Sequence, residues 1–257
     1  MTEYHTVING IRVDARYSRH TVEEILVPLL RQLAELRRKK GRRILVMLAA
    51  PPGCGKTTLC SFLEQLSRER EGLTPVQAAG MDGFHRRQEY LTSHTAERDG
   101  RIFPLVEIKG APETFDLPKL AAAVARAAAG EVFGWPGYDR TLHNPVEDAV
   151  RVDGEIVLLE GNYLLLDEDG WRELSAGADY TVSMAAEEET LRERLIDRKI
   201  KTGADAEQAV RFVDFSDMPN VRLCLAKTMR ADLALRMDGS GEIHRVPGGG
   251  RAEPEAL

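Results

Sequence analysis

Lys56 and Thr57 follow two closely spaced glycines, Gly53 and Gly55, in the stretch LAAPPGCGKTTLC from Leu48 to Cys60. Such a run can grip phosphate. The glycines let the backbone fold its N–H groups inward around an anion, and the first turn of a following helix adds its positive dipole end. Lys56 can reach the β- and γ-phosphates of a nucleotide, and the Thr57 hydroxyl is placed to ligate magnesium. Pro52, Cys54 and Thr58 complete the segment expected around the phosphates. Ala50 stands where the usual pattern begins with glycine. The later amides form the cradle, so alanine is tolerated there if its φ stays negative. Cys54 occupies a position that needs a small side chain, because only its amide faces the phosphate. Its thiol is either open to alkylation or an inert packed group.

Two carboxylates bear on the fate of the phosphate. Asp82, in AAGMDGFHRRQEYL, leaves the carboxyl end of a buried strand, the edge where ligands of open α/β sheets gather. It can act as the base that accepts the proton of an attacking hydroxyl, or it can cap the next turn. Glu160, in EIVLLEGNYLLLD, ends a second buried strand and would hold the magnesium shell together with Thr57. A helix over residues 187–202 puts Arg198 on the same face as Leu191 and Leu195, with Arg194 close by. Its apolar stripe therefore turns cationic, so the arginines either reach solvent or close over the nucleotide. The polar, broken stretch GADAEQAVRFVDFSDMPN after it has the character of a moving lid.

These residues need a scaffold that brings strand ends together, and the pattern supplies one. Short buried strands are expected at 44–48, 76–79, 155–159, 180–184 and 233–236. Helices at 57–70, 117–129, 187–202 and 220–229 alternate with them, the signature of a parallel sheet with crossover connections. Asp116 can cap the helix that begins at Leu117, with Pro118 in its first turn. Ahead of this core, YHTVINGIRVDARY reads as a small hairpin turning at Asn9-Gly10. A helix follows, with a capping-box spacing from Thr21 to Glu24 and a kink expected at Pro28. The expected organisation is a hairpin and helix over 1–40 packed on the core, a main domain over 41–246, and a disordered tail over 247–257.

The 257 residues, 43% hydrophobic, suffice for one large α/β domain. A net charge of −6 gives no global attraction to nucleic acid, and the basic run RRKKGRR reads as a solvated helix end. Three cysteines form no paired framework and suit a reducing compartment. With no signal-like N-terminus and no apolar run long enough to span a bilayer, a cytoplasmic location without a membrane partner is expected.

The motifs PPGCGKTTL, MDGFH, KGAPETFDLPKL, WPGYDRTLHNPVEDA, EGNYLLLDEDGW and DMPN occur in family order over about two-thirds of the chain. In them the sequence resembles the P-loop kinases that include uridine kinase, phosphoribulokinase and bacterial-type pantothenate kinase, and most closely the fructose transport system kinase group. The resemblance implies an α/β P-loop NTPase three-layer sandwich with a mostly parallel sheet and a helical lid. It implies an ATP- and magnesium-dependent phosphotransferase acting on an alcohol group of a small-molecule acceptor, with Asp82 as base, Lys56 and Thr57 on the nucleotide, and Arg194 and Arg198 as lid arginines. It further implies that Tyr138, Asp139, Arg140 and His143 approach the acceptor, with Phe115 and Glu113 as further candidates. A sugar site would draw on Asp82, His85, Asp139, Arg140 and His143, whereas a nucleoside site would use aromatic platforms among Phe84, Tyr90, Phe103 and Tyr138. A sugar, a nucleoside and a pantothenate-like acceptor all stay open, as do a homodimer, a regulatory ATPase and a kinase relative that has lost catalysis. The chain departs from its relatives at Ala50 and Cys54, in the unusually apolar RIFPLVEI, and at Asp214.

Overall fold

A computed structural model describes residues 1–8, 11–98 and 100–247. In chain order its elements are β1 (Thr2–Ile8), β2 (Ile11–Tyr17), α1 (Val27–Lys40), β3 (Ile44–Ala49), α2 (Lys56–Glu69), β4 (Val76–Gly80), α3 (Gln88–Ser93), β5 (Thr95–Arg98) and β6 (Arg101–Pro104). There follow α4 (Leu117–Ala128), β7 (Phe133–Asp139), β8 (Asn144–Val152), β9 (Ile156–Gly161), β10 (Tyr180–Ala186), α5 (Glu188–Lys201), α6 (Ala206–Phe212), α7 (Met218–Lys227), β11 (Leu233–Met237) and β12 (Ile243–Arg245). The expected Asn9-Gly10 turn and the tail from residue 248 lie outside the described residues.

The central sheet has the order β12-β11-β10-β3-β9-β4, parallel except for β12. After β3 the chain crosses to the edge strand β4, returns to fill the gap with β9, and then continues on the other side with β10. The order thus reverses around β3, where an open sheet forms its ligand crevice. Six consecutive buried residues make β3, because both faces of a parallel strand are covered. Ile44, Val46 and Leu48 pack into one apolar cluster with α1, α2 and α5, while Leu45, Met47 and Ala49 pack into the other with α4 and α7. Those two clusters and the sheet between them are the three layers of the α/β sandwich.

The N-terminal hairpin pairs Thr2 with Tyr17 through Ile8 with Ile11. It docks through Tyr17, stacked on Phe62 at 4.3 Å, and through the Tyr4 hydroxyl, 2.6 Å from Ser61 Oγ. The capping box does not form as read. Ser18 Oγ accepts the Thr21 N–H at 2.9 Å, and the Thr21 hydroxyl is drawn off to Glu242 at 2.7 Å. Residues 21–26 form a turn of π-helix closed by the Val27 N–H on the Val22 carbonyl, so the irregularity sits just ahead of Pro28, which has no N–H to donate. The basic run at the end of α1 is tied to the molecule. Arg42 chelates Asp179 at 2.9 and 2.6 Å, and Arg43 Nε donates to the Gly154 carbonyl at 2.7 Å.

Three features have no counterpart in the strand and helix pattern read from the sequence. The hairpins β5–β6 and β7–β8 stand apart from the main sheet, and Leu91, Leu105, Ile108 and Ala111 form a small core of their own. That satellite core explains the apolar RIFPLVEI, since Leu105 and Ile108 are its members. Among the described residues no helix is long and apolar enough to cross a membrane.

Candidate active site

The phosphate loop leaves β3 at Ala50, whose N–H donates to the Gly161 carbonyl of the neighbouring strand. Among the described residues only His143 and Asp148 have positive φ without being glycine, so Ala50 keeps the negative φ on which its tolerance depended. Gly53 and Gly55 have φ of 80° and 86°. A Cβ on Gly53 would meet Leu195 Cγ at 3.0 Å and the Leu191 carbonyl at 3.1 Å; one on Gly55 would meet the Arg194 guanidinium at 3.3 Å. Glycine is therefore required twice, by the left-handed backbone and by the approach of α5. Gly55 is also the N-cap of α2 and supplies no side-chain oxygen, so no side chain caps the first-turn N–H groups at Lys56, Thr57 and Thr58. An uncapped helix start behind a glycine cradle fits a polyphosphate. Pro52 and Cys54 are buried beneath it, and burial pushes the Cys54 thiol up to about 12, which identifies it as the packed, inert alternative.

Strand register brings the carboxylates to the same place. Glu160 lies opposite Leu48 on β3 and Gly80 on β4, and Asp82 follows two residues beyond Gly80. Thr57 Oγ1 donates to Glu160 Oε1 at 2.9 Å. Glu160 is 6% exposed, and burial lifts its carboxyl to about 7 against the pull of Lys56; Asp82 raises it further. Among the described residues this buried carboxylate is joined to the Thr57 hydroxyl and to no cationic side chain, an arrangement that fits a small hard cation. Among the described residues no group of three or more His, Cys, Asp or Glu could hold a metal by itself. That donor set suits Mg²⁺, which takes few protein ligands and completes its shell with water and phosphate.

Asp82 is half-buried. Burial pushes its carboxyl upward, but His85, Lys56, Arg140 and Arg198 together outweigh that effect and hold it below the ordinary aspartate value. His85 Nδ1 lies 2.9 Å from the Asp82 carbonyl, and its ring packs on Phe115 at 3.9 Å and Tyr138 at 5.2 Å. Burial lowers the His85 pKa, opposed by the neighbouring Asp82. Gly83 makes this arrangement possible, since a Cβ there would fall 1.9 Å from the Pro136 carbonyl oxygen on β7. Trp135 Nε1 fastens the same hairpin to the end of β4 through the Gly80 carbonyl, at 2.8 Å.

Of the residues expected at the acceptor, His85, Tyr138 and Arg140 are grouped with Asp82. Asp139 instead closes the hairpin turn, accepting from the N–H groups of Thr141 and Leu142 at 2.7 and 2.9 Å. His143 is exposed in the left-handed region, and its carbonyl accepts from Lys109 Nζ at 3.0 Å. Arg194 lies over the loop at Gly55, while Arg198 faces Asp82, Arg140 and Asp217. Asp214 forms a two-pronged pair with Arg192 at 2.6 and 2.9 Å, which accounts for that departure. Asp116 caps α4 as expected, accepting the Lys119 N–H at 3.2 Å.

Sequence reasoning missed Asp217, Lys109 and Asn220. Asp217 ends a π-turn over residues 213–217, where burial raises its carboxyl while Arg198, Lys199 and Arg140 oppose that rise. Lys109 Nζ holds Gln88 Oε1 at 3.1 Å and lies 5.1 Å from the Tyr138 ring centre. Asp217 and Asn220 belong to DMPN and Lys109 to KGAPETFDLPKL, so the motifs marked the segments without showing what each side chain does.

No family model matches the chain. It is 40% identical over 238 residues to the uncharacterised protein YggC of Escherichia coli (strain K12), covering 92% of this chain and 96% of that one. It is 30% identical over 205 residues to the "Putative uridine kinase C227.14" of Schizosaccharomyces pombe, covering 77% and 85%. The crystal structure of a "putative fructose transport system kinase" from Silicibacter sp. TM1040 superposes with a TM-score of 0.72 at 30% identity, covering 81% of this chain and 98% of that one. With the cradle, the paired strand-end carboxylates and the arginine-bearing helix in place, the chain belongs to the P-loop kinases of the uridine kinase, phosphoribulokinase and pantothenate kinase type.

Proposed function

We propose that this chain is an ATP- and magnesium-dependent kinase that transfers the γ-phosphate to a hydroxyl of a small metabolite, a sugar or related polyol before a nucleoside. The observation that carries this reading is the placement of Asp82, a half-buried carboxylate at the edge of the sheet with His85, Lys56, Arg140 and Arg198 around it. Its carboxylate accepts the proton of the acceptor hydroxyl as that oxygen bonds to the γ-phosphorus and the bond to the β-phosphate oxygen breaks, leaving ADP. Lys56 neutralises the phosphates, and Arg194 and Arg198 balance charge on the moving phosphoryl group. Thr57 and Glu160 are the residues that would hold Mg²⁺, which when bound neutralises and orients the β- and γ-phosphate oxygens. His85, Tyr138 and Arg140 line the approach of the acceptor.

The test is ADP release by the purified protein with ATP and Mg²⁺ against fructose and other sugars, uridine, cytidine, pantothenate and phosphorylated pentoses. Asp82→Asn is expected to lower acceptor-dependent turnover by about 10²–10⁴-fold with ATP affinity retained. Unchanged turnover in that variant would remove Asp82 as the base. ATP binding without stimulation by any acceptor would favour a regulatory ATPase.

A further inference from the structure

Beyond the His85–Phe115 pair lies a cleft of about 600 Å³, within the range of small-molecule sites. Phe115 links the two spaces, because its ring lines the cleft and also packs on His85, which touches the Asp82 carbonyl. Backbone pairing ties the segments carrying His85 and Phe115 together, the Arg86 N–H on the Thr114 carbonyl and the Asp116 N–H on the Phe84 carbonyl, each at 2.8 Å. Trp171, Leu117 and Leu223 supply apolar wall.

The charges around this cleft are already paired. Arg98 grips Glu113 with two bonds of 2.9 and 2.5 Å; burial pushes the Glu113 carboxyl up, but that pairing outweighs it and holds the group below the usual glutamate value. Arg86 is shared between Asp116 at 3.3 Å and the face of Tyr90 at 4.5 Å. Glu168 receives Lys227 at 2.7 Å, and Asp169 receives Arg172 at 3.4 Å. An anionic ligand would have to take an arginine from its carboxylate. Asn220 is different. It is 2% exposed, its Nδ2 donates to the Ser216 carbonyl at 3.0 Å, and its Oδ1 has no hydrogen-bond partner. Turning the amide over would set oxygen against the Ser216 carbonyl, so the unpaired atom is the acceptor oxygen. A buried oxygen left without a donor is costly unless something supplies one.

Resting on the kinase reading above, we infer that this cleft receives the part of the phosphoryl acceptor remote from its reacting hydroxyl, and that this part is uncharged. It offers apolar or ring surface to Phe115 and Trp171 and an N–H or O–H donor to Asn220 Oδ1. The acceptor is accordingly a neutral metabolite, not a sugar phosphate or a carboxylate-bearing compound.

The test is a matched-pair panel with the full chain, ATP and Mg²⁺: fructose against fructose 6-phosphate, ribose against ribose 5-phosphate, uridine against uridine 5′-monophosphate. For any pair that turns over, kcat/KM is expected to be at least about tenfold higher for the neutral member. Leu223→Trp, which fills the cleft from α7, is expected to raise the acceptor KM by about tenfold or more with the KM for ATP unchanged; Asn220→Leu is expected to act in the same direction. Preference for a phosphorylated member, abolished by Asp82→Asn, would overturn this inference and leave the kinase reading standing. An acceptor KM unmoved by Leu223→Trp would overturn it as well. No turnover with any member in a protein that still binds ATP would remove the kinase reading and this inference with it.

Discussion

The nucleotide half and the acceptor half of this molecule are built in different ways. Around the phosphate loop, position is fixed by backbone and core: a fully buried β3, two glycines with positive φ, and a carboxylate in register between two strands. Around the acceptor, position is fixed by side chains reaching between small elements. Trp135 reaches Gly80, Lys109 reaches Gln88 and His143, and His85 is packed between Phe115 and Tyr138. A scaffold held by the main sheet keeps one geometry for a cofactor shared across a family. A scaffold of hairpins and pairwise contacts can change its acceptor without disturbing that geometry.

The sharpest way to test this division is to remove one essential group from the nucleotide half. Lys56→Met takes the only side-chain cation from within the loop itself and leaves the apolar packing of α2 untouched. Turnover is expected to fall by about 10²–10³-fold or more, with ATP affinity weakened and the melting temperature of the ligand-free protein little changed. Steady-state kinetics beside a melting curve decide it; retained turnover would mean that the cradle amides and the α5 arginines carry the phosphates without Lys56.

The complementary break is in the acceptor half. Gly83→Ala places a methyl against the Pro136 carbonyl, backbone against backbone, so β7 must move off the Met81–Phe84 turn. A stability loss of about 1–3 kcal/mol is expected from overpacking. Because β7 carries Tyr138 and leads to Arg140, the acceptor KM should rise by about tenfold while ATP binding stays within about twofold of wild type. Equal loss of both affinities would show that the two halves are not separable.

This same division decides what could be read from the sequence. The five parallel strands and their helices were legible because burial on both faces writes continuous apolar runs and helical stripes. Lys56, Thr57, Asp82 and Glu160 were legible because each sits at a fixed offset from such a strand. The β7–β8 hairpin was not, since its strand PVEDAV is exposed over most of its length and carries no alternation to mark a core face. Asp139 and His143 lie in a run that a family resemblance marks as a unit, yet hairpin geometry gives one to the turn and leaves the other exposed. Asp217 and Asn220 depend on a π-turn, which shifts the helical face by a residue relative to a regular helix and defeats a projection at 100° per residue.

A smaller effect separates the halves by pH. The folded-state pKa of Glu160, about 7, lies above its unfolded value near 4.5, so the ligand-free protein holds a proton that the unfolded chain releases. The stability this contributes is fully present below about pH 4.5 and is lost as pH rises through about 7. Melting temperatures of the ligand-free protein should therefore fall between pH 5 and pH 7.5, and Glu160→Gln should flatten that part of the profile. A profile unchanged in the variant would place the buried proton elsewhere.

The smallest effect is expected at the residue that looks most reactive on paper. Cys54 lies inside the phosphate loop between two glycines, but it is 1% exposed and packs in the same apolar cluster as Leu191 and Leu195. Burial, opposed only weakly by Lys56 and Arg194, holds its thiol at about 12, so at neutral pH the thiolate that would attack an electrophile is nearly absent. Iodoacetamide at pH 7.5 is expected to leave ATP binding and turnover unchanged over the time in which free cysteine is fully alkylated, and Cys54→Ser should bind ATP as the wild type does. Rapid inactivation prevented by ATP would show that the loop opens in solution and exposes the thiol, which would make the nucleotide half the mobile one and reverse the comparison.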